Sequence, residues 1–110
     1  MTGSTQSSHI KIDMSFPSLV KEIQDLTKAQ LQELLDSTVK LQKTTWQELW
    51  EQSTKGKGKT GFNYELIEED PDLGKIHSIR ITKGFRARVV RENEWMRFIS
   101  LHPDHDSAYR

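Results

Sequence analysis

Between Ile76 and Leu101, runs that alternate apolar and cationic residues, Ile76 to Ile81, Phe85 to Arg91 and Trp95 to Leu101, are joined only by Thr82-Lys83-Gly84 and Glu92-Asn93-Glu94. Connections this short join antiparallel neighbours, because a parallel crossover needs a dozen or more residues. The C-terminal third is therefore read as antiparallel strands linked by tight hairpins, and the residues before it must supply the layer that covers one face of the sheet.

The first hairpin also fixes which side chains share a face. A loop of Thr82, Lys83 and Gly84 calls for a left-handed last residue, a conformation glycine adopts without steric cost. That loop sets Ile81 opposite Phe85, Ile79 opposite Ala87 and Arg80 opposite Arg86. Ile79, Ile81, Phe85, Ala87 and Val89 then face the core, while Arg80, Arg86 and Arg88 share the other side. A two-residue Lys83-Gly84 loop would shift the pairing by one, put Ile81 beside Arg86 and mix the faces. With Ile99 and Leu101 facing inward, Ser100 and His102 join the arginines, and Phe98 stands beside Arg88 as a stacking platform. Cations on adjacent cross-strand sites repel, so the arrangement is easier to understand with an anion among them. Arginines on a solvated sheet face are the simpler alternative.

The preceding segment reads as scaffold. Ile10, Ile12 and Met14 alternate with polar residues as in a short strand, and Phe16-Pro17 opens a helix continued by Leu19, Ile23 and Leu26. Thr27-Lys28-Ala29-Gln30 has the form of a capping box, after which Leu31, Leu34, Leu35 and Thr38 or Val39 make one apolar stripe, giving a helical hairpin. Thr45-Trp46-Gln47-Glu48 repeats the cap, and Trp46, Leu49 and Trp50 are expected to be core. Residues 1–9 are read as a disordered tail and residues 10–110 as a single domain, which suits a chain of 110 residues. Lys55 to Gly61 is basic and glycine-rich, but it lacks the glycine, the preceding strand and the following helix of a phosphate-binding loop. It is read as a surface loop whose Lys57 and Lys59 can touch a nucleic-acid backbone. The acidic run from Glu65 to Asp72 is expected to be a solvated turn after an extended Phe62 to Ile67.

Formal net charge is zero, yet from Lys75 onward there are 8 basic and 4 acidic residues, so the C-terminal part carries +4 and the first 74 residues −4. A basic end on a neutral chain suits a polyanion at short range and steers it weakly from afar. The chain has no cysteine, so disulfides and thiolate zinc sites are excluded. The sequence has no apolar run of membrane-spanning length and no recognisable signal peptide, so a cytoplasmic location without membrane association is expected.

His102-Pro103-Asp104-His105-Asp106 follows the last strand, with Tyr109 just beyond. His102-x-x-His105 lacks helical metal-ligand spacing and has no evident third ligand, so neither metal nor other cofactor is expected. Phosphoester cleavage fits better. The 2′-hydroxyl of RNA attacks its own phosphate, which requires a base, an acid for the departing 5′-oxygen and cations for the charge on phosphorus. Histidine suits either proton role, and arginine matches phosphate oxygens bidentately. Local capping of the last strand by the His-Asp cluster is the bland alternative.

Strand, helical hairpin, then strands through Ser78 to Thr82, Phe85 to Arg88 and Trp95 to Leu101 with the tail to Tyr109 resemble the RelE/ParE superfamily of bacterial toxin–antitoxin toxins, from roughly Ile10 to the C-terminus. The resemblance implies an α+β fold, with an N-terminal strand and helical hairpin packed on a small twisted antiparallel sheet as in microbial ribonucleases. RelE-like members cut messenger RNA without metal, commonly on the ribosome, and arrest translation; ParE-like members instead bind and inhibit DNA gyrase. By resemblance, Arg80, Arg86 and Arg88 match the phosphate-binding arginines. His102, His105 and Tyr109 match the late acid/base and stacking positions. Arg86, His102, His105 and Tyr109 are thus the expected catalytic residues, and Arg80, Arg88, Arg97, Lys57, Lys59 and Phe98 the expected RNA-binding ones, with Glu65 or the Lys55 to Lys59 loop as the source of an additional group. A cognate antitoxin would cover the arginine face. Two features depart from the pattern: RelE-like nucleases tend to be strongly basic, and Asp104 and Asp106 sit where positive potential would help.

Overall fold

Apolar alternation in the C-terminal third and helical stripes before it fold into a mixed sheet covered on one face by helices. The computed structural model describes residues 5–54 and 61–103. In chain order the elements are β1 (Lys11–Asp13), α1 (Leu19–Gln24), α2 (Lys28–Gln42), α3 (Trp46–Thr54), β2 (Glu65–Asp70), β3 (Gly74–Thr82), β4 (Phe85–Glu92) and β5 (Trp95–His102). Spatial order is β1-β5-β4-β3-β2. β2 to β5 are antiparallel as the hairpins require, and β1 joins β5 in parallel, with Ile12 opposite Met96. That parallel pairing, which alternation in β1 alone does not reveal, makes the sheet mixed.

Both capping boxes form. Thr27 Oγ1 accepts from Gln30 N at 3.1 Å while Gln30 Oε1 accepts from Thr27 N at 2.9 Å. Thr45 and Glu48 reciprocate in the same way at 3.1 and 2.9 Å. On α2 the buried positions are Leu34, Ser37, Thr38 and Leu41, whereas Leu35 and Val39 are 48% and 49% exposed. The expected stripe was thus rotated: small Ser37 and Thr38 let α2 approach the sheet, and the Ser37 hydroxyl reaches Ile81 O at 3.5 Å. Trp46 and Leu49 are core, but Trp50 is 50% exposed.

Leu19, Leu34, Leu41, Trp46, Leu49, Ile79, Phe85, Ala87, Val89, Met96, Phe98 and Leu101 form the core between helices and sheet. Burying each large side chain contributes about 1.5–3 kcal/mol. Two polar ties fix the layers: Glu22 of α1 accepts from Leu101 N at 2.7 Å, and Trp46 Nε1 donates to Glu94 O at 3.0 Å. The N-terminal segment is also engaged. Thr5–Ser7 form a 3-10 turn, and Arg91 donates to Thr5 Oγ1 at 2.7 Å and to Gln6 Oε1 at 2.6 Å.

Two local expectations change. The extended segment expected to end at Ile67 continues through the acidic residues to Asp70 as strand β2, where a turn was expected, with a bulge between Leu66 and Glu68. The turn comes after it, where Asp70 Oδ1 accepts from Asp72 N and Leu73 N at 2.8 and 2.9 Å and Gly74 takes φ +84°. At the β3–β4 tip, Thr82 rather than Ile81 stands opposite Phe85, so the connection is Lys83-Gly84, and Gly84 is not left-handed. The feared mixing of faces does not follow, because a bulge between Arg80 and Thr82 absorbs the extra residue and restores the register.

Candidate functional site

The restored register brings charged side chains together on the face away from the helices. Arg80 of β3 pairs with Arg86 of β4, and Arg86 with His102 of β5, so adjacent strands present Arg-Arg-His side by side. The same alternation that points Ile79, Ala87 and Leu101 into the core places this row outward. Two residues further along each strand, Glu65, Ser78, Arg88 and Ser100 form a second in-register row on the same face. At the usual strand spacing the first row spans about 10 Å from Arg80 to His102, with Arg86 between.

Each member of the row is positioned by its strand and its neighbours. The backbone N–H of Arg80 donates to Phe62 O at 2.6 Å and its guanidinium to Gly61 O at 3.1 Å, locking the segment after α3 against β3. Arg86 is only 8% exposed, an unusual depth for a cation. His102 Nε2 lies 2.9 Å from Ser100 Oγ, a bond that orients the imidazole whichever partner carries the proton. Arg88 Nη1 reaches Glu68 Oε1 at 3.5 Å across β3. Fixed guanidinium charge beside an oriented imidazole can hold a phosphodiester and exchange a proton with it.

Phe98 is a correction. It is 0% exposed and packed in the core opposite Val89, because a bulge between Arg88 and Val89 shifts the alternation of β5, so it offers no face to a base. Arg97 is also placed elsewhere, toward the β1 edge. Its Nε meets Asp13 Oδ2 and its Nη2 meets Glu92 Oε1, both at 3.1 Å. Asp13 is held below the ordinary carboxylate range, first by the Ser15 hydroxyl and backbone N–H and then by Arg97. Arg97 thus ties β1 to the sheet. Lys57, Lys59, His105 and Tyr109 lie outside the described residues.

Other residues have roles that sequence reading missed. Arg91, two residues past Val89 and so on the helix face, sits 4.1 Å over the Trp46 ring. His77 stacks on Tyr64 at 4.0 Å, and Tyr64 meets Trp46 edge-on at 5.9 Å. Burial pushes the Tyr64 hydroxyl up to about 12, and burial with nearby Lys75 lowers the His77 imidazole below its ordinary value. Glu68 was hidden as a partner of Arg88 because this part of β2 was read as a turn. Among the described residues no group of His, Asp and Glu gathers as a metal site, and no helix is long and apolar enough to cross a membrane.

No protein-family model and no curated protein matches this chain. Among solved structures it is similar to a chain of the crystal structure of the archaeal RelE-RelB complex from Pyrococcus horikoshii OT3, with a TM-score of 0.55 and 18% identity, covering 86% of this chain and 94% of that one. The likeness establishes an α+β fold of RelE type.

Proposed function

We propose that this chain is the toxin of a toxin–antitoxin pair, an endoribonuclease that cuts messenger RNA and so arrests translation. The observation that carries the reading is the Arg80, Arg86 and His102 row, in register across neighbouring strands with Arg86 nearly buried. In the proposed reaction a 2′-oxygen attacks the adjacent phosphorus and the bond to the 5′-oxygen breaks, leaving a 2′,3′-cyclic phosphate and a 5′-hydroxyl. Arg80 and Arg86 offset the charge that develops on the phosphoryl oxygens, and the oriented imidazole of His102 takes or gives one of the two protons. His105 or Tyr109 is assigned the other. The chemistry needs no metal, since arginine supplies the positive charge. The similar chain was crystallised as a RelE-RelB complex, which supports a cognate antitoxin as a partner; in this reading the antitoxin covers the arginine face.

The test is to induce the protein in bacteria and follow labelled methionine and labelled thymidine separately, beside an Arg86→Ala/His102→Ala variant. Early loss of methionine incorporation, relieved in the variant, is the expected result. Early loss of thymidine incorporation with methionine spared would replace this reading with inhibition of DNA gyrase.

A further inference from the structure

Arg80 faces more than the row it shares with Arg86. It also lines a cleft of about 730 Å³ between the C-terminal part of α2, the end of α3 and the β3–β4 tip. That volume lies within the roughly 300–1,000 Å³ typical of small-molecule sites. Lys40 from α2 and Lys83 from the hairpin tip complete a ring of cations, and no acidic residue is among its described lining side chains. Phe62 and Ile81 supply apolar wall, and Ser37, Thr44 and Thr82 supply hydroxyls. On the wall, Gln52 Oε1 accepts from Phe62 N at 2.8 Å, and the Gln52 side chain lies against Gly61. Asp36, one turn before Lys40, is occupied with Gln32 at 2.9 Å and does not line the cleft.

We propose that this cleft is a nucleotide subsite for the RNA strand whose scissile phosphate lies on the Arg80, Arg86 and His102 row, with Lys40 and Lys83 on the next phosphate and Phe62 against its base. The assignment rests on the endoribonuclease reading, and it extends that reading from one phosphate to an adjoining nucleotide. Arg80 is the link, because it belongs to the row by register and to the cleft by position. Cations without carboxylates, beside one aromatic ring, are what a single-stranded nucleic acid needs: charge for the backbone and a flat apolar surface for a base.

The test titrates a labelled 2′-O-methyl RNA octamer, which cannot be cut by its own 2′-oxygen, at several salt concentrations. Wild type is compared with Lys40→Ala/Lys83→Ala and with Phe62→Leu, and thermal unfolding checks that each is folded; both lysines are exposed. The lysine variant is expected to bind more weakly, with a salt slope shallower by about 0.7, for the one phosphate contact that the two lysines share. Phe62→Leu is expected to weaken binding by about tenfold with the slope kept, as for loss of one stacked base. Unchanged affinity and slope in both variants, or no binding by wild type, would overturn the subsite even if unmodified RNA is cut. The expected losses without cleavage of unmodified RNA by wild type would keep an RNA-binding cleft and remove the nuclease reading. Tighter binding of an oligo-glutamate peptide than of RNA, lost in the lysine variant, would reassign the cleft to an acidic protein segment and overturn the proposal.

Discussion

The helix-covered and open faces of β3, β4 and β5 are built from residues one position apart. Ile79, Ala87 and Leu101 lie in register across the strands against the helices, and Arg80, Arg86 and His102 lie in register on the opposite side. The first row is closed to solvent and contributes through burial and packing. The second sets Arg80 and Arg86 at directly paired positions, with Arg86 at 8% exposure, an unusual depth for a cation.

The comparison breaks most visibly on the apolar side. Phe98→Ala removes a fully buried ring and is expected to cost about 3–5 kcal/mol in urea unfolding, a large part of a small domain's stability. A cost below about 1 kcal/mol would put Phe98 on the open face after all. Arg91→Ala sharpens the contrast between cations. Its stacking on Trp46 and its bonds to Thr5, Gln6 and Asn93 O make it a fold residue, so about 1–2 kcal/mol of stability is expected to go, with RNA cleavage per folded molecule unchanged.

Arg86→Met keeps the aliphatic stem and removes the charge. Stability is expected within about 1 kcal/mol of wild type, while cleavage falls about 10²–10³-fold, as when one group that stabilises transition-state charge is lost. A destabilisation as large as that of Phe98→Ala with activity intact would make Arg86 structural.

The smallest effect is on pH dependence. Burial, helped by Lys75, keeps the folded-state pKa of His77 below its ordinary value, so the unfolded chain binds this proton more readily. The contribution is fully present above the unfolded pKa of about 6.5 and declines as pH falls through it toward the folded value. Asp13 and Asp70 have lowered values, so their contributions begin to decline only near the ordinary aspartate value of 3.8. His77→Phe, which keeps a ring on Tyr64, is expected to flatten the stability slope between about pH 6.5 and 5 and to leave the more acidic limb unchanged.

Much of this division was legible beforehand. The pairings Ile79 with Ala87 and Arg80 with Arg86 followed from spacing, and both capping boxes from four-residue patterns, because these are local rules. What escaped depended on bulges and on distant partners. The bulge at Ile81 reconciles a two-residue turn with the anticipated register, and the bulge after Arg88 sends Phe98 inward. The second half of β2, Glu68 to Asp70, was obscured because its carboxylates suggested solvent, although an edge strand tolerates charge well. Arg97 was grouped with the other arginines because nothing in its own segment shows Asp13, which approaches only through the parallel pairing of β1.

If His102 moves a proton in the cleavage step, the end chemistry of cut RNA reports it. Purified wild type and His102→Ala, matched in thermal unfolding, would be incubated with a defined messenger RNA, with and without ribosomes, and the new termini analysed. Wild type is expected to leave 2′,3′-cyclic phosphate and 5′-hydroxyl ends, and His102→Ala to lose them. Undiminished cutting by a folded His102→Ala variant, or no cutting by wild type under either condition, would contradict that role.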